Sequence, residues 1–371
     1  MAAERRVENA GKHTLGKEEA DPELLHRMRM KFRPSAQRFL FFLLICGILT
    51  IPILAQTEKR IKFGTFSLYF ENDFFAGTDR CFTGGVKLSW VSKDLENYHE
   101  SSWLQWLPFV DQPEFQHAIS LSLGQNINTP DDITRSDLVV DDRPYAGWFY
   151  LEFGIHSKGQ RRMDTLAILL GLIGPQTFSE DLQKLFHNLV GGIWPEGWHH
   201  QLKSEFTAGL HYERKLKWLH RNGRRGFGFD FIPHMGSGIG NVYTYANAGF
   251  QGRMGWNLPA DFGVSLLRPG GESNVNFSGD GTSPLARPRF GIHAFAALDG
   301  RLVLRDIFLD GNTLRRSHHV DKNLFTADIL AGVRFTYGRF DISYTYVYWT
   351  KHFKTEKRGH IFGMLCLSYS L

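Results

Sequence analysis

Cysteine is nearly missing from this chain, at three in 371 residues, and proline is sparse at 14. Too few cysteines remain for a disulfide scaffold or a zinc site of the Cys/His kind. One of them, Cys46, lies in an apolar N-terminal stretch, which leaves Cys81 and Cys366 near opposite ends of the chain. That placement leaves their pairing open. After residue 56 no apolar run reaches eighteen residues, so a helical membrane span is not expected there. No G-x-S-x-G motif occurs, and Ser89 and Ser204 lack the surroundings of an activated serine. Internal repeats and low-complexity arrays are missing too.

What is present is aromatic and glycine-rich. The chain carries 31 Phe, 12 Tyr, 9 Trp and 38 Gly, with a mean hydropathy of −0.27. That is too polar for a helical membrane protein and too aromatic for an ordinary soluble one. It suits a membrane β-barrel, whose strands alternate apolar and polar residues between aromatic girdles. The basic charge says little about partners. Residues 1–55 hold nine Lys or Arg and six Asp or Glu; without them, 34 basic residues face 32 acidic ones. Met28–Ala55 has a basic start, an apolar core from Phe39 to Leu54 and a small residue before Gln56, the pattern of a secretory signal peptide. A retained anchor helix is the rival reading. The polar residues 1–27 read as an extension ahead of the natural start. The expected division is therefore 1–55, extension and signal, and 56–371, an outer-membrane β-barrel.

Strand patterns recur along the exported part: Ile61–Asn72, Phe82–Ser92, Glu114–Asn126, Tyr145–Ser157, Asp164–Leu172, Gln201–Leu216, Gly226–Gly236, Asn241–Gly252, Phe290–Leu309, Leu324–Thr336, Phe340–Trp349 and Ile361–Leu371. The fold class this implies is all-β, a transmembrane antiparallel barrel of about 12 strands. Fourteen would result if Asp299-Gly300 folded the ninth into a hairpin and another strand hid in the long Arg253–Arg287 stretch. A periplasmic β-sandwich is disfavoured by the aromatic load and the lack of a covering helical layer. With a periplasmic N-terminus, the loops after the first, third and fifth strands share the outer side.

One segment breaks the alternation. Gly174-Pro175 leads into a helical pattern from Ser179 to about Val190, with Ser179 as expected N-cap and Glu180 and Asp181 in the first turn. Leu182, Leu185, Phe186 and Leu189 form an apolar face, Gln183 and His187 lie four apart, and Gly191-Gly192 ends the helix. Taken alone it also reads as a structural loop helix with a solvated histidine. Other polar groups gather on the same outer side. Asn72, Asp73 and Thr83 flank the first loop, where oxygens suit a hard cation or Asn72 donates to an oxyanion. Arg135 and Arg143, in and after the third loop, are candidates for phosphate contacts. An imidazole taking a proton from water, with a cation or amide steadying the oxyanion, would hydrolyse an acyl ester.

The blocks YFENDFF…TDRCFTGGVKLSW, GQNINTP, DDRPYAGWFY, GLIGPQTFSEDLQKLFHNLVGG…GWHHQL and NLPADFG, in this order over most of 61–371, resemble the lipid A 3′-O-deacylases of the outer membrane. The resemblance implies a twelve-stranded barrel, a Ca²⁺-dependent site near the outer leaflet and removal of the 3′-linked acyloxyacyl group of lipid A. It places His187 on the catalytic base, Asn72 and Asp73 on a rim pair tied to oxyanion and cation, and Thr83 on an essential hydroxyl. Two departures stand out. The family's Lys-Arg pair after the third strand has only Arg135 here. Its glutamate after the histidine falls on Ile193, with Glu196 the nearest acid. The expectation is a monomeric lipid A esterase in the outer membrane, with Asp73 and Glu196 at the metal. A phospholipase of the same membrane, or a silent barrel serving as channel or adhesin, are the alternatives.

Overall fold

The computed structural model describes residues 64–73, 84–93, 95, 115–222, 226–264 and 290–371. The expected signal peptide, the boundary at residue 55, Cys81, Thr83 and most of the Arg253–Arg287 stretch lie outside them. Thirteen strands form one antiparallel sheet: β1 (Thr65–Asn72), β2 (Gly84–Val91), β3 (Gln116–Asn128), β4 (Ala146–Lys158), β5 (Arg162–Ile173), β6 (Glu205–Leu216), β7 (Leu219–Asn222), β8 (Phe227–Gly240), β9 (Tyr243–Trp256), β10 (Phe290–Asp306), β11 (Phe325–Tyr337), β12 (Phe340–Trp349) and β13 (His360–Ser370). β6 and β7 both pair with β8, through Lys215↔His234 and Leu219↔Phe231, and run in line across a break at Lys217-Trp218. The closed wall thus has twelve strand positions, as the sequence pattern predicts. β10 passes Asp299 and Gly300 without turning, paired with β9 and β11 throughout, so the fourteen-strand alternative falls.

Closure joins β1 to β13, from Thr65↔Ser370 to Asn72↔Gly363. Inside the seam small hydroxyls meet: Thr65 and Ser370 Oγ are 3.0 Å apart, and Ser67 and Ser368 2.8 Å. Outside it, Leu68 and Leu367 are exposed. The same inversion runs around the wall, with Leu88, Ile168, Leu170, Phe206, Leu210, Ile329 and Ile342 outside and Lys87, Ser89, Glu152, Glu213 and Asp328 buried within. Apolar-out and polar-in is what a barrel in lipid requires.

Tight turns at 159–161 and 338–339, together with the chain end, mark the periplasmic mouth. There the segment after β9 turns back into the lumen. Phe262 packs among Val91, Ala118, Met163 and Ile232. Asp261 accepts from Arg253 and from Arg334 Nη1 (2.6 Å), while Arg253 also donates to Asp230 (2.8 and 2.5 Å). At the opposite end a short helix, α1 (Ile307–Asp310), sends Phe308 inward against Trp148, which stacks on Tyr150 at 4.3 Å. Side chains therefore fill the lumen near both ends.

Candidate functional site on the outer wall

The break in alternation after β5 is a helix, α2 (Ser179–Val190), and it lies on the outside of the barrel. Gly147 faces outward on β4, and a Cβ there would stand 2.0 Å from Ser179 Oγ and 2.2 Å from Thr177 Oγ1. Glycine at this position is what lets the start of the helix touch the sheet. Gln125, outward on β3, reaches over it: Nε2 donates to Thr177 O and to Ser179 Oγ, both at 2.9 Å. Ser179 is not the cap that its residue type suggests. Phe178 holds that position in a left-handed conformation, and the Ser179 hydroxyl serves the wall instead. Gly191, also left-handed, ends the helix as expected.

The helix is turned over relative to its sequence reading. Leu182 and Leu185 are 39% and 51% exposed, whereas Ser179, Gln183 and His187, at i, i+4 and i+8, are buried against the wall. Phe186 points partly inward, packing on Ile127 and standing 6.1 Å from the ring of Phe70. Water outside a protein drives leucines in; lipid outside leaves them where they are, and the polar stripe finds its partners on the wall.

Those ring contacts bring the histidine's neighbour to β1. Phe70 faces outward with Leu68 and Asn72, because Glu71 between them lines the lumen. Asn72 follows the Glu71↔Gly85 pair, so it stands beside Gly84, which is followed across the wall by Ile127 and Gly147. It is only 1% exposed although it faces the membrane side, and Asp73 beyond it is buried as well. The insertion is thus laid over the row containing Asn72. His187 follows Phe186 on it, and its Nδ1 contacts the carbonyl oxygen of Ile193. A carbonyl only accepts, so Nδ1 carries the proton and Nε2 is the basic nitrogen. The residue at the position of the missing glutamate therefore orients the imidazole through its main chain.

Gln183 is a site residue that sequence reasoning passed over. It is fully buried, and Trp198 Nε1 donates to its Oε1 at 2.7 Å. An indole N–H can only donate, which fixes the amide and turns Nε2 away, without a hydrogen-bond acceptor among the described residues. Its spacing of four from His187 was the available signal. Trp198 in turn packs on Tyr145 at 5.0 Å, and burial pushes the Tyr145 phenol up to about 12. Glu196 N donates to Ile133 O at 2.9 Å, so the helix exit is pinned to the β3–β4 loop.

The remaining expected residues are spread more widely. The Glu196 side chain is exposed. Arg135 is exposed and paired with Asp137. Arg143 is buried at the mouth, 3.4 Å from Glu356 and over the ring of Phe353; burial raises the Glu356 carboxyl above its ordinary range. Among the described residues no three His, Cys, Asp or Glu stand close enough to hold a metal ion. Asp73 is the one buried carboxylate at the outer site, so the described residues do not by themselves enclose a cation.

The family described as "Outer membrane protein LpxR" matches residues 40–371. LpxR from Salmonella typhimurium has a similar structure, with a TM-score of 0.66 at 16% identity over 83% of this chain and 100% of that one. The β domain of the Bordetella autotransporter BrkA gives 0.39 at 10% identity, over 83% and 98%. No match is found among curated proteins.

Proposed function

The chain belongs to the family described as outer membrane protein LpxR, and we propose that it is a lipid A 3′-O-deacylase working on the outer leaflet. Its place is the outer membrane, as the family and the apolar outer wall require. The observation that carries the reading is the covered row on the membrane face of the barrel: His187 beside Phe186, and Phe186 against Phe70, two residues from Asn72. An ester presented from the lipid side meets a basic nitrogen and an amide in a setting of low dielectric.

In the proposed reaction, His187 Nε2 takes a proton from a water as its oxygen attacks the ester carbonyl. The oxyanion is steadied by the Asn72 amide. Collapse breaks the carbon–oxygen bond to the sugar; the imidazolium returns the proton to the leaving alkoxide, and the acyloxyacyl chain departs as a carboxylate. Thr83 stands as a hydroxyl in this scheme from the family resemblance. Calcium is retained as a proposed cofactor, with Asp73 as the carboxylate nearest the site and Glu196 as the acid of the insertion. Bound there it would supply positive charge to the oxyanion. Arg135 and Arg143 are proposed phosphate contacts, Arg135 being the more accessible of the two.

Mass spectrometry of lipid A from cells with and without the protein tests the reading. Loss of one hydroxyacyl chain with its secondary acyl group is expected. Unchanged lipid A alongside altered phospholipids would replace the reading by a phospholipase. The side chains packed across the lumen near both ends argue against the channel alternative.

A further inference from the structure

The outer rim carries a second basic surface that the reaction above does not use. It lies in the β10–β11 connection, 311–324, and is unusually well tied for an exposed loop. Glu205, the first residue of β6, accepts from Thr313 N (2.9 Å), Leu314 N (3.4 Å) and Asn312 Nδ2 (3.1 Å). The Asn312 side chain also binds both main-chain groups of Lys203, at 2.9 and 2.8 Å. Arg305 clamps the other flank through Gly311 O (3.0 Å) and Thr313 Oγ1 (2.8 Å). His318 Nε2 lies 2.7 Å from Asp142 O, so the loop reaches the β3–β4 loop as well.

Three consecutive side chains project from this anchored tip. Leu314 is 84% exposed, and Arg315 and Arg316 are exposed beside it. Elsewhere on the rim Arg135, Arg143, Arg301 and Arg305 are each held by a carboxylate or a carbonyl. Arg315 and Arg316 have no such partner among the described residues, and no acid lies next to them in sequence. Lys203, which the loop grips, is in the connection leading from the helical insertion into β6. The tip is therefore a pair of exposed guanidiniums with an apolar neighbour, carried by an anchored main chain on the outer side and continuous with the insertion.

We propose that Leu314-Arg315-Arg316 is a docking surface for the phosphate groups of outer-leaflet glycolipid. The arginines take the phosphates, Leu314 meets the acyl boundary, and the lipid is thereby oriented toward the row beneath α2. Guanidinium forks match phosphate oxygens, and a basic side chain at an anionic membrane surface strengthens attachment severalfold. This supplies an exposed cationic pair from another loop, where the β3–β4 loop exposes Arg135 and buries Arg143. It rests on the lipid A reading for the identity of the glycolipid, but not for turnover.

The test measures binding, so the two can fail separately. Full-length protein carrying His187→Ala, in neutral detergent micelles, is titrated with bisphosphorylated lipid A and with lipid A stripped of phosphate. Tighter binding of the phosphorylated form is expected. Arg315→Ala should reduce that preference about fivefold, and the double change with Arg316→Ala about twentyfold, with heat-modifiable migration unchanged. Arg315→Lys should retain part of it. Inorganic phosphate at millimolar concentration should not compete. A double variant that keeps its parent's full preference for the phosphorylated lipid, a parent with no such preference, or full competition by inorganic phosphate would overturn the assignment. Phosphate-dependent binding without any deacylation in cells would leave the docking surface standing and remove the enzyme.

Discussion

Two buried polar regions of this barrel solve the same problem in opposite ways. Inside the periplasmic mouth, full charges answer one another: Arg253 with Asp230 and Asp261, Arg334 with Asp261 and Asp341. On the outer wall beneath α2, the groups are neutral for the most part: Asn72, Gln125, Ser179, Gln183 and an imidazole whose Nδ1 faces a carbonyl. Lumen residues can close a charge network because every neighbour is protein. A site facing acyl chains cannot hold an unanswered ion cheaply, so amides, a hydroxyl and an imidazole line it in place of paired charges. The first region is complete without a ligand. In the second, the amide of Gln183 retains a donor to offer.

Changes that break one region should therefore leave the other. His187→Ala is expected to lower deacylation by at least about a thousandfold, with folding measured by heat-modifiable migration unaltered. Arg253→Ala should do the reverse. Removing one partner of a buried charge network costs about 3–5 kcal/mol, read as a lower urea midpoint for the detergent-solubilised barrel, while molecules that stay folded keep their activity. If that variant loses activity in proportion to nothing but folded fraction, the separation of the two regions holds.

Gly147→Val sharpens the boundary. Its side chain would occupy the space of Ser179 and Thr177, lifting α2 from the wall, so activity should fall about tenfold to a hundredfold by misplacement alone in a barrel of normal stability. EDTA should abolish activity and calcium restore it if the proposed cofactor is real; activity untouched by chelation would remove it. The smallest effect belongs to His352 at the mouth, whose imidazole burial holds well below its ordinary range. The unfolded chain takes this proton first, so the stability it contributes is present above pH ~6.5 and is lost as the pH falls. His352→Gln should flatten that slope in thermal melts taken between pH 7 and 5.

The strand count was readable because lipid on one side and packed polar groups on the other impose a strict period of two. Phe340–Trp349 agrees to the residue, and most other strands within a few. Helix α2 was readable for the converse reason, that Leu182 to Leu189 abandon the period. Its orientation was not. A pattern of leucines says which face is apolar, and only the surroundings say whether that face is buried. His187 and Asn72 stand out in the sequence through their motifs, whereas Gln183 looks like any helical amide, and only the fold brings Trp198 to fix it. The inward fold of Leu258–Val264 had no local signal either, since Asp261 is explained by arginines on β9 and β11.

Because the covered row lies on the lipid-facing side of the wall, beneath α2, the traffic in the proposed reaction is two-dimensional. A glycolipid would arrive and its fragments depart by gliding within one leaflet, with no passage through an aqueous gate. Turnover should then follow the mole fraction of that lipid among its neighbours rather than its amount per volume, and inert lipid added to the same surface should slow the enzyme by dilution alone.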